Sequence, residues 1–443
     1  MKRKYISEIR EGEKVLLKGW VYEIRGLSHL KFLILRDCSG FVQCVVKDKI
    51  LVSQFSNLGL ESVVEIVGKV KKANVKADFV RKEVEVEVER LKILNRAEKL
   101  PIQVNEKAVK SGLPSRLDYR SLDVRKPKIK AIFKIQSVII NSFRKYFFKK
   151  DFLEIQPPGI IGCSTEGGTD LFEIKYFDKK AYLAQSPQLY KQLMAISLEK
   201  VFSTSAVWRA EKHDTSKHIN EIRQMDIEVA FIDDLQVMKY LEESVKFIIE
   251  QVLKNCKKEI EILKLNLKVP KAKYLTYAEA IEVLNKHGFK LKTGDDFEPE
   301  AEKKLCVLFP DAIIFTYEWP IEIKPFYIWP KEDTAQCIPK GHKTPNHGIR
   351  GHKVSGGFDA LYGGVEISSG GQRVHVPDIL IKQLKSKKLK PEDFKWYIDA
   401  FRYGAPMHSG WSIGLERLTY AICGLDNIRE ATLFPRDRQR LTP

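Results

Sequence analysis

The stretch VFSTSAVWRAEKHDTSKHINEIRQMDIEVAFI, residues 201–232, decides how the rest of the chain is interpreted. Apolar and polar residues alternate in its two ends, residues 201–210 and 225–231, and this alternation predicts two β-strands. A charged connection joins them, so they form an antiparallel hairpin. Because Arg209 and Glu211 are two residues apart, their side chains lie on the same face.

The charged residues of this hairpin suit a nucleoside triphosphate. The guanidinium of Arg209 can donate two parallel hydrogen bonds to a phosphate, and Glu211 can accept a hydrogen bond from an exocyclic amine. The connection adds further basic side chains, namely Lys212, His213, Lys217 and His218. A solvated hairpin with a charged loop is the alternative, and these residues alone leave both interpretations open.

A second informative stretch, GAPMHSGWSIGLERLTYAICGLDNIREATLFPRDRQRLTP, covers residues 404–443. Residues 410–414 predict a short strand, and residues 415–423 predict a helix that ends at Gly424. Gly410 and Gly414 would let the backbone approach a ligand closely. Arg417 lies in the first helical turn, where the helix N-terminus also favours a bound phosphate.

Together the two stretches resemble motifs two and three of the class II aminoacyl-tRNA synthetases, and the FPRDRQRLTP ending is similar to that of the archaeal-type aspartyl-tRNA synthetases. The resemblance implies that Arg209 and Arg417 are catalytic, with Arg209 on the α-phosphate and attacking carboxylate. It implies an ATP site made of Arg209, Glu211, Lys217, His218, Ile219, Glu366, Gly414, Leu415, Glu416 and Arg417. Ile222 departs from the family pattern, because many relatives have a phenylalanine there that stacks on adenine.

Composition and charge restrict the class of protein. The chain has 443 residues and a formal net charge of +18, which points to a polyanionic partner such as nucleic acid. No apolar run approaches bilayer length, and no apolar segment follows the charged N-terminus, so we expect neither a membrane span nor a signal peptide. Seven scattered cysteines suggest reduced thiols and a cytoplasmic location.

Residues 1–96 predict five short strands and little helix, at 14–25, 30–36, 41–46, 62–71 and 83–94. This pattern is typical of a small OB-type β-barrel, which binds single-stranded nucleic acid on aromatic side chains in a basic groove. Candidate stacking residues are Trp20, Tyr22, Phe32 and Phe41, although any one of them could belong to the core, and the basic residues of the groove would be Arg25, Lys31 and Arg36. The resemblance makes this barrel the anticodon-binding domain, with Arg25, Phe32 and Gln43 on the anticodon.

Residues 97–125 are polar and interrupted by prolines, so they predict a hinge, and residues 126–443 predict the catalytic domain. Helical periodicity covers residues 129–148, and residues 234–330 predict helices with a lysine-rich, less informative middle. The fold class is therefore α+β: the barrel, then an antiparallel sheet flanked by helices. By resemblance the helix at 129–148 and Pro158 belong to motif one, which implies a homodimer.

The resemblance also assigns an amino-acid site to Glu166, Gln188, Lys191, Arg209, Ser369 and Arg373. Gln188 and Lys191 share a helix face, where a lysine is ordinarily solvated surface. In the family pattern, however, Lys191 and Arg373 grip the side-chain carboxylate of L-aspartate. Neutral asparagine would leave buried charge unpaired, so the pair favours aspartate.

The sequence contains two groups of possible metal ligands. Glu366 and Ser369 are oxygen ligands close together on a strand and are suited to Mg²⁺ with phosphate co-ligands, and Asp359 is a further acidic candidate. Cys337, His342, His347 and His352 are zinc-ligand types at intervals of five residues, which is not a known finger spacing. Because glycine, proline and basic residues separate them, we expect a basic lid or RNA contact rather than a zinc site.

The resemblance therefore implies an aspartate–tRNA ligase that uses ATP, Mg²⁺, L-aspartate and tRNA-Asp, with tRNA-Asn as an open second substrate. Asparaginyl-tRNA synthetase is the alternative enzyme, and a non-catalytic tRNA-binding relative is the alternative of another class. Retention of Arg209, Glu366 and Arg417 argues against the latter. The related ammonia-dependent asparagine synthetase lacks an N-terminal barrel, which this chain has.

Overall fold

The computed structural model describes residues 1–27, 30–54, 58–77, 79–105, 110–165, 171–212, 215–331 and 353–443. The chain divides into two compact units, residues 1–126 and 127–443. Residues 97–125, predicted as a hinge, group with the first unit. Within the described ranges, no helix is long and apolar enough to cross a bilayer.

The first unit is a closed barrel with the strand order β1-β2-β3-β5-β4. All neighbouring strands are antiparallel except β3 and β5, which are parallel. The predicted OB-type barrel is thus confirmed, with strand limits close to those predicted. Its elements are β1 (Lys14–Leu27), β2 (Leu30–Arg36), β3 (Phe41–Val46), α1 (Lys49–Gln54), β4 (Val63–Lys72), β5 (Val80–Asn95), α2 (Leu113–Asp118) and α3 (Arg120–Asp123).

Alternation along the barrel strands separates two apolar clusters. Side chains such as Leu33 and Leu35 fill the interior, while Tyr22, Ile34 and Phe41 pack on the outside against Val75 and Val80, among others. Because β2 and β3 are largely buried on both faces, their sequences LKFLILR and FVQCVV are mostly apolar.

Arg36, expected in a basic groove, is instead 5% exposed. It donates to Glu61 at 2.6 Å, and its guanidinium lies over the Trp20 ring. The role of Arg36 is therefore structural, and Trp20 is engaged in the same contact.

The second unit is built on an eight-stranded sheet with the order β12-β13-β16-β17-β18-β11-β10-β6. Its six central strands are antiparallel, whereas β12 pairs with β13, and β10 with β6, in parallel. The predicted hairpin is confirmed as β10 and β11. The strands are β6 (Leu153–Glu154), β10 (Lys200–Trp208), β11 (Glu221–Ala230), β12 (Lys271–Thr276), β13 (Ala312–Tyr317), β16 (Gly357–Tyr362), β17 (Val365–Gln372) and β18 (His408–Gly414).

Helices flank this sheet, which confirms the α+β fold class. The predicted helices at 129–148 and 415–423 are present as α4 and α12, and Gly424 has the left-handed conformation expected after a helix. The helices are α4 (Pro127–Phe148), α5 (Gln188–Leu198), α6 (Asp234–Asn255), α7 (Lys257–Leu263), α8 (Tyr277–Lys286), α9 (Pro299–Leu308), α10 (Pro377–Ser386), α11 (Lys395–Arg402) and α12 (Leu415–Cys423).

Smaller elements complete the unit. A three-stranded sheet has the order β7-β9-β8, and a two-stranded ribbon pairs β14 with β15. These strands are β7 (Ile160–Ile161), β8 (Glu173–Tyr176), β9 (Lys179–Leu183), β14 (Pro330–Lys331) and β15 (Val354–Ser355).

The prediction of helices alone for residues 234–330 was wrong, because β12 and β13 lie in this segment. The first, KAKYLT, is short and rich in lysine, so its alternation is weak. The second, AIIFTY, is a continuous apolar run of a length at which periodicity does not distinguish a strand from a helix. Their parallel pairing also makes the sheet mixed rather than purely antiparallel.

Candidate active site

A cleft of about 320 Å³ lies over the central strands of the second unit. Strands β11, β17 and β18 provide its floor, and the segment that follows β10, α5 and the start of α12 contribute from its edges. Most of the residues predicted for substrate and nucleotide lie together in its lining: Gln188, Lys191, Arg209, Glu211, Lys217, His218, Ile219, Glu366, Ser369, Arg373, Gly414 and Arg417.

Arg209 and Glu211 follow the end of β10 and are held there by Asn220. The Asn220 side-chain amide donates to the carbonyl oxygens of Arg209 at 2.7 Å and of Glu211 at 3.0 Å. This fixes the backbone while both side chains reach the cleft, where an Arg209 guanidinium nitrogen lies 4.0 Å from the Glu211 carboxylate. The Nε of Arg209 is buried and has no hydrogen-bond partner among the residues that the structure describes. The pair can therefore offer an N–H donor and a carboxylate acceptor to one ligand.

The start of α12 brings Arg417 beside Glu366 of β17. Arg417 donates to the Glu366 carbonyl oxygen at 3.0 Å, and its guanidinium lies 3.5 Å from the carboxylate. Desolvation raises the pKa of Glu366; Arg417 opposes this shift and the negative charge of Asp359 adds to it. Lys217 and His218 line the same end, which is consequently the more cationic end of the cleft.

At the opposite end, two buried cations are paired with two buried carboxylates. The Lys191 ammonium lies 3.0 Å from Asp226 and 3.5 Å from Glu228. Arg373 binds Glu228 through two hydrogen bonds of 2.8 and 3.3 Å. All four side chains are at most 3% exposed, and their formal charges cancel.

The four side chains Lys191, Arg373, Asp226 and Glu228 form a quartet, and burial affects the pKa values of its two carboxylates. Desolvation raises the pKa of Asp226, although Lys191 opposes the shift. At Glu228 desolvation acts in the same direction, but the combined charges of Arg373 and Lys191 outweigh it and lower the pKa. The sequence prediction singled out Lys191 and Arg373 and missed both carboxylates. The alternation in MDIEVA, which places Asp226 and Glu228 on one face of a strand, was the available signal.

The buried, uncharged His408 lies next to the quartet and takes part in a chain of hydrogen bonds that reaches Gln188. Desolvation lowers the pKa of His408 to about 4, so the ring is uncharged near neutral pH. Its Nδ1 lies 2.9 Å from the Pro406 carbonyl oxygen and its Nε2 lies 3.0 Å from the Gln192 amide nitrogen. With the proton on Nδ1, Nε2 accepts from Gln192, which in turn accepts from Gln188 at 2.9 Å. Gln188, a predicted substrate residue, is thereby fixed in orientation.

Three predicted positions have roles that differ from those expected. Gly410 does not line the cleft; a β-carbon there would lie 2.0 Å from the Glu228 carboxylate, so glycine makes room for a buried side chain rather than for a ligand. The Leu415 side chain is buried. The Glu416 carboxylate accepts from the Arg223 backbone N–H at 3.1 and 3.2 Å and joins α12 to β11 instead of facing the cleft.

Two charged residues at the cleft were missed in the sequence. Lys324 lines it, and its ammonium lies 2.5 Å from the carboxylate of Asp359. Glu302 of α9 lines an adjoining cavity of about 180 Å³, together with Lys217, Glu366 and Arg417. Desolvation raises the pKa of Glu302 to about 7. Both lie far in sequence from the recognisable stretches, so no local pattern marks them.

Several predicted residues lie outside the described ranges. Glu166, expected over the amino acid, is one of them. His213 of the hairpin connection and the candidate zinc or lid residues Cys337, His342, His347 and His352 are the others.

Comparison with known proteins identifies the family to which the chain belongs. A family model described as tRNA synthetases class II (D, K and N) matches residues 113–438. The chain belongs to this family of class II tRNA synthetases. A second model, an OB-fold nucleic acid binding domain described as tRNA anti-codon, matches residues 15–94 of the barrel.

Relatives align with this synthetase from end to end. It is 43% identical to the aspartate–tRNA(Asp/Asn) ligase of Methanocaldococcus jannaschii, over 99% of this chain and 98% of that protein. It is 40% identical to the aspartate–tRNA(Asp) ligase of Thermoplasma volcanium, over the whole of both chains.

Solved structures are similar over the whole chain. The asparaginyl-tRNA synthetase of Pyrococcus horikoshii complexed with asparaginyl-adenylate has a TM-score of 0.90 and 35% identity, with full coverage of both chains. The aspartyl-tRNA synthetase of Entamoeba histolytica has a TM-score of 0.86 and 30% identity, and covers 100% of this chain and 93% of its own.

The synthetase barrel holds its predicted anticodon residues close together. Arg25 of β1 is opposite Phe32 of β2, and Gln43 lies on the neighbouring strand β3. Phe32 is partly exposed, whereas Tyr22 and Phe41 are buried and pack edge to face at 4.9 Å. Gln43 donates to Glu85 at 2.9 Å. Among the four aromatic candidates, Phe32 is thus the one best placed to stack on a base.

The donor set at the cationic end of the cleft fits the Mg²⁺ that this family uses with ATP. Glu366 and Ser369 both line the cleft and offer hard oxygen atoms. Within the described ranges, no group of three or more His, Cys, Asp or Glu side chains could enclose a metal by itself. Phosphate oxygens would have to complete the coordination.

Proposed function

We propose that this synthetase is an aspartate–tRNA ligase, which activates L-aspartate with ATP and transfers the aspartyl group to tRNA-Asp. The observation that carries the proposal is the pair of buried cations, Lys191 and Arg373, in the wall of the cleft. They provide a place for a second carboxylate besides the one that is activated. The homology to archaeal aspartate–tRNA ligases supports the same assignment.

Charge explains the choice of amino acid. Lys191 and Arg373 are anchored behind by Asp226 and Glu228, so their positions are fixed before a ligand enters. The substrate carboxylate would accept hydrogen bonds from their remaining N–H groups. Asparagine presents an amide whose own N–H groups would meet these donors, which leaves buried polar groups unpaired.

The other end of the cleft performs the chemistry on ATP. The α-carboxylate of aspartate attacks the α-phosphorus, an aspartyl-adenylate forms, and pyrophosphate leaves. Arg209 holds the attacking carboxylate and the α-phosphate together, while Glu211 accepts from the adenine amine. Arg417 and His218 hold the β- and γ-phosphates. Catalysis is then mostly positioning and charge neutralisation.

Glu366 and Ser369 would hold Mg²⁺ together with the phosphates, and Asp359 is the further acidic group nearby. When bound, the ion supplies positive charge to the phosphate oxygens. The chain's own contribution is the Arg417 guanidinium, which lies 3.5 Å from the Glu366 carboxylate and restrains it beside the phosphate end.

The remaining predictions concern partners and organisation. The barrel, residues 1–96, would bind the anticodon through Arg25, Phe32 and Gln43, with residues 97–125 as a hinge and residues 126–443 as the catalytic domain. A homodimer is supported by exposed apolar side chains near motif one, namely Phe148, Leu153 and Ile160. A cytoplasmic location stays a prediction.

Asparaginyl-tRNA synthetase is the second candidate, because one solved structure with a TM-score of 0.90 has that activity in its name. Aminoacylation assays with purified tRNA-Asp and tRNA-Asn, each with radiolabelled aspartate and asparagine, separate the possibilities. We expect aspartate on tRNA-Asp. Aspartate on both tRNAs would extend the proposal to tRNA-Asn, whereas asparagine on tRNA-Asn alone would overturn it.

A further inference from the structure

Lys324 places a positive charge beside the carboxylates that would serve the metal. Its ammonium lies 2.5 Å from the Asp359 carboxylate, and the two side chains are only 11% and 14% exposed. Lys324 also lines the cleft that contains Glu366 and Ser369. Asp359 is opposite Ser369 across the β16–β17 ladder, so the ammonium and the proposed metal-binding oxygens share one corner of the site.

The scaffold fixes this ammonium from its other side. It lies 4.2 Å from the centre of the Trp319 ring, a cation–π contact. Trp319 is 2% exposed, and its indole nitrogen donates to the Thr316 carbonyl oxygen at 2.9 Å. Thr316 is in turn opposite Asp359 across β13 and β16. The Lys324 ammonium is therefore held between the buried Trp319 ring and the Asp359 carboxylate, unlike the ammonium of an ordinary surface lysine.

Two carboxylates and two cations lie in this corner of the site, and the cations offset the negative charge. Asp359 and Glu366 are like charges in a partly desolvated place, and their mutual repulsion would make them a strong trap for any free divalent cation. Lys324 neutralises Asp359, and Arg417 lies 3.5 Å from the Glu366 carboxylate. With both pairs formed, the corner has little net negative charge to attract a free divalent ion.

We propose that Lys324 is a resident counter-cation that weakens the binding of free divalent metal at Asp359 and Glu366, so that the ion enters together with ATP. ATP brings the missing negative charge with its phosphates, and one Asp359 oxygen can then serve the metal while the other keeps Lys324. Lys324 is thus a positioning residue for the metal rather than a catalytic residue. The inference rests on the metal site of the proposed function.

Mn²⁺ binding to the ATP-free protein tests the proposal without any turnover. Free Mn²⁺ is measured by electron paramagnetic resonance during titration of wild type, Lys324→Met, Lys324→Gln and Lys324→Arg. We expect Lys324→Met and Lys324→Gln to bind one Mn²⁺ per chain at least about tenfold more tightly than wild type, because a neighbouring unit charge is removed. Lys324→Arg retains the charge and should keep the wild-type affinity.

The double variant Lys324→Met/Asp359→Asn identifies the site of any gain. It removes both charges of the pair, so the tighter binding should disappear. Wild-type affinity in both neutral single variants would overturn the proposal, and so would equally tight binding in the double variant. Lys324→Gln retains a hydrogen-bond donor toward Asp359, which preserves a folded comparison if Lys324→Met unfolds. Because neither amino acid nor tRNA is present, a wrong choice of amino-acid substrate would leave this result unchanged.

Discussion

At the scale of single residues, we expect the quartet of Lys191, Arg373, Asp226 and Glu228 to determine which amino acid the cleft binds. Each cation is held by an internal carboxylate, and the formal charges cancel before a ligand arrives. A buried pair of this kind adds little net stability, but removing one partner is costly because the other charge stays buried. The quartet therefore serves mainly to orient the two cations.

Lys191→Met tests that orientation. We expect the KM for aspartate to rise by about 100-fold or more in ATP–pyrophosphate exchange, because the substrate loses one charged partner. The KM for ATP should change much less. Lys179→Met, at an exposed position of β9, is the matched control and should leave both constants unchanged. Equal increases for aspartate and ATP would contradict the proposed role.

Glu416 gives a pH-dependent prediction about stability. Desolvation raises its pKa to about 7, so the protonated side chain is the form that the fold favours. Its stabilising contribution is complete below the usual carboxyl pKa and is lost as the pH rises through about 7, with up to about 3 kcal/mol at stake. Glu416→Gln retains an acceptor for the Arg223 N–H but does not ionise.

Melting temperatures at pH 5 and pH 8 check this expectation. Between these values the wild type should lose more stability than Glu416→Gln. Parallel pH profiles for the two proteins would show that Glu416 stays ionised in the fold and that its burial costs less than we infer.

At the scale of elements, the pairing of β11 with β18 builds the floor of the site. Glu228 and Gly410 are opposite each other in this ladder, and the Glu228 carboxylate occupies the space above the glycine. Because Gly410 of β18 has no side chain, there is room for the Glu228 side chain of β11.

Gly410→Ala should therefore damage both stability and aspartate binding. The added carbon would lie 2.0 Å from one Glu228 carboxylate oxygen and 2.3 Å from the Ile227 carbonyl oxygen, so the ladder or the quartet must move. A loss of about 1–3 kcal/mol is typical of overpacking. Gly162→Ala is the control, because no atom of the described part of the chain lies within 4 Å of its added carbon. A fully stable and active Gly410→Ala variant would contradict this account.

Local sequence patterns predicted most of the elements that carry the site. Alternation gave the β10–β11 hairpin and the barrel strands, and periodicity with a terminal glycine gave α12. In contrast, β12 was missed because its short, lysine-rich sequence alternates only weakly, and β13 because a short apolar run fits either a strand or a helix. Packing partners were also missed, since the pairing of Glu228 with Arg373 and of Lys324 with Asp359 depends on contacts distant in sequence.

In the candidate site, too, the motif residues could be predicted from the sequence, whereas roles that depend on long-range packing could not. The resemblance in motif residues indicated which side chains belong to the cleft, and twelve of them line it. It did not indicate why Gly410 is glycine or where the Glu416 carboxylate points, because both depend on how β11 packs against β18 and α12. Long-range packing decides these roles, and no local pattern contains it.

At the scale of the whole molecule, we propose that the barrel and the catalytic unit have separable tasks. Phe32→Ala should lower aminoacylation of tRNA while leaving ATP–pyrophosphate exchange nearly intact, because Phe32 belongs to the barrel. A stacked base contributes about 1–3 kcal/mol, so a loss of roughly five- to 150-fold in kcat/KM for tRNA is expected. Tyr5→Ala, another exposed aromatic of the first unit, is the control. Equal losses in both reactions would argue against base stacking.

The most direct test of the central claim is ATP–pyrophosphate exchange without tRNA, measured with L-aspartate and with L-asparagine. The two buried cations of the cleft predict exchange that depends on aspartate and is at least about 100-fold less efficient with asparagine. Exchange with asparagine as efficient as that with aspartate, or more so, would contradict the assignment.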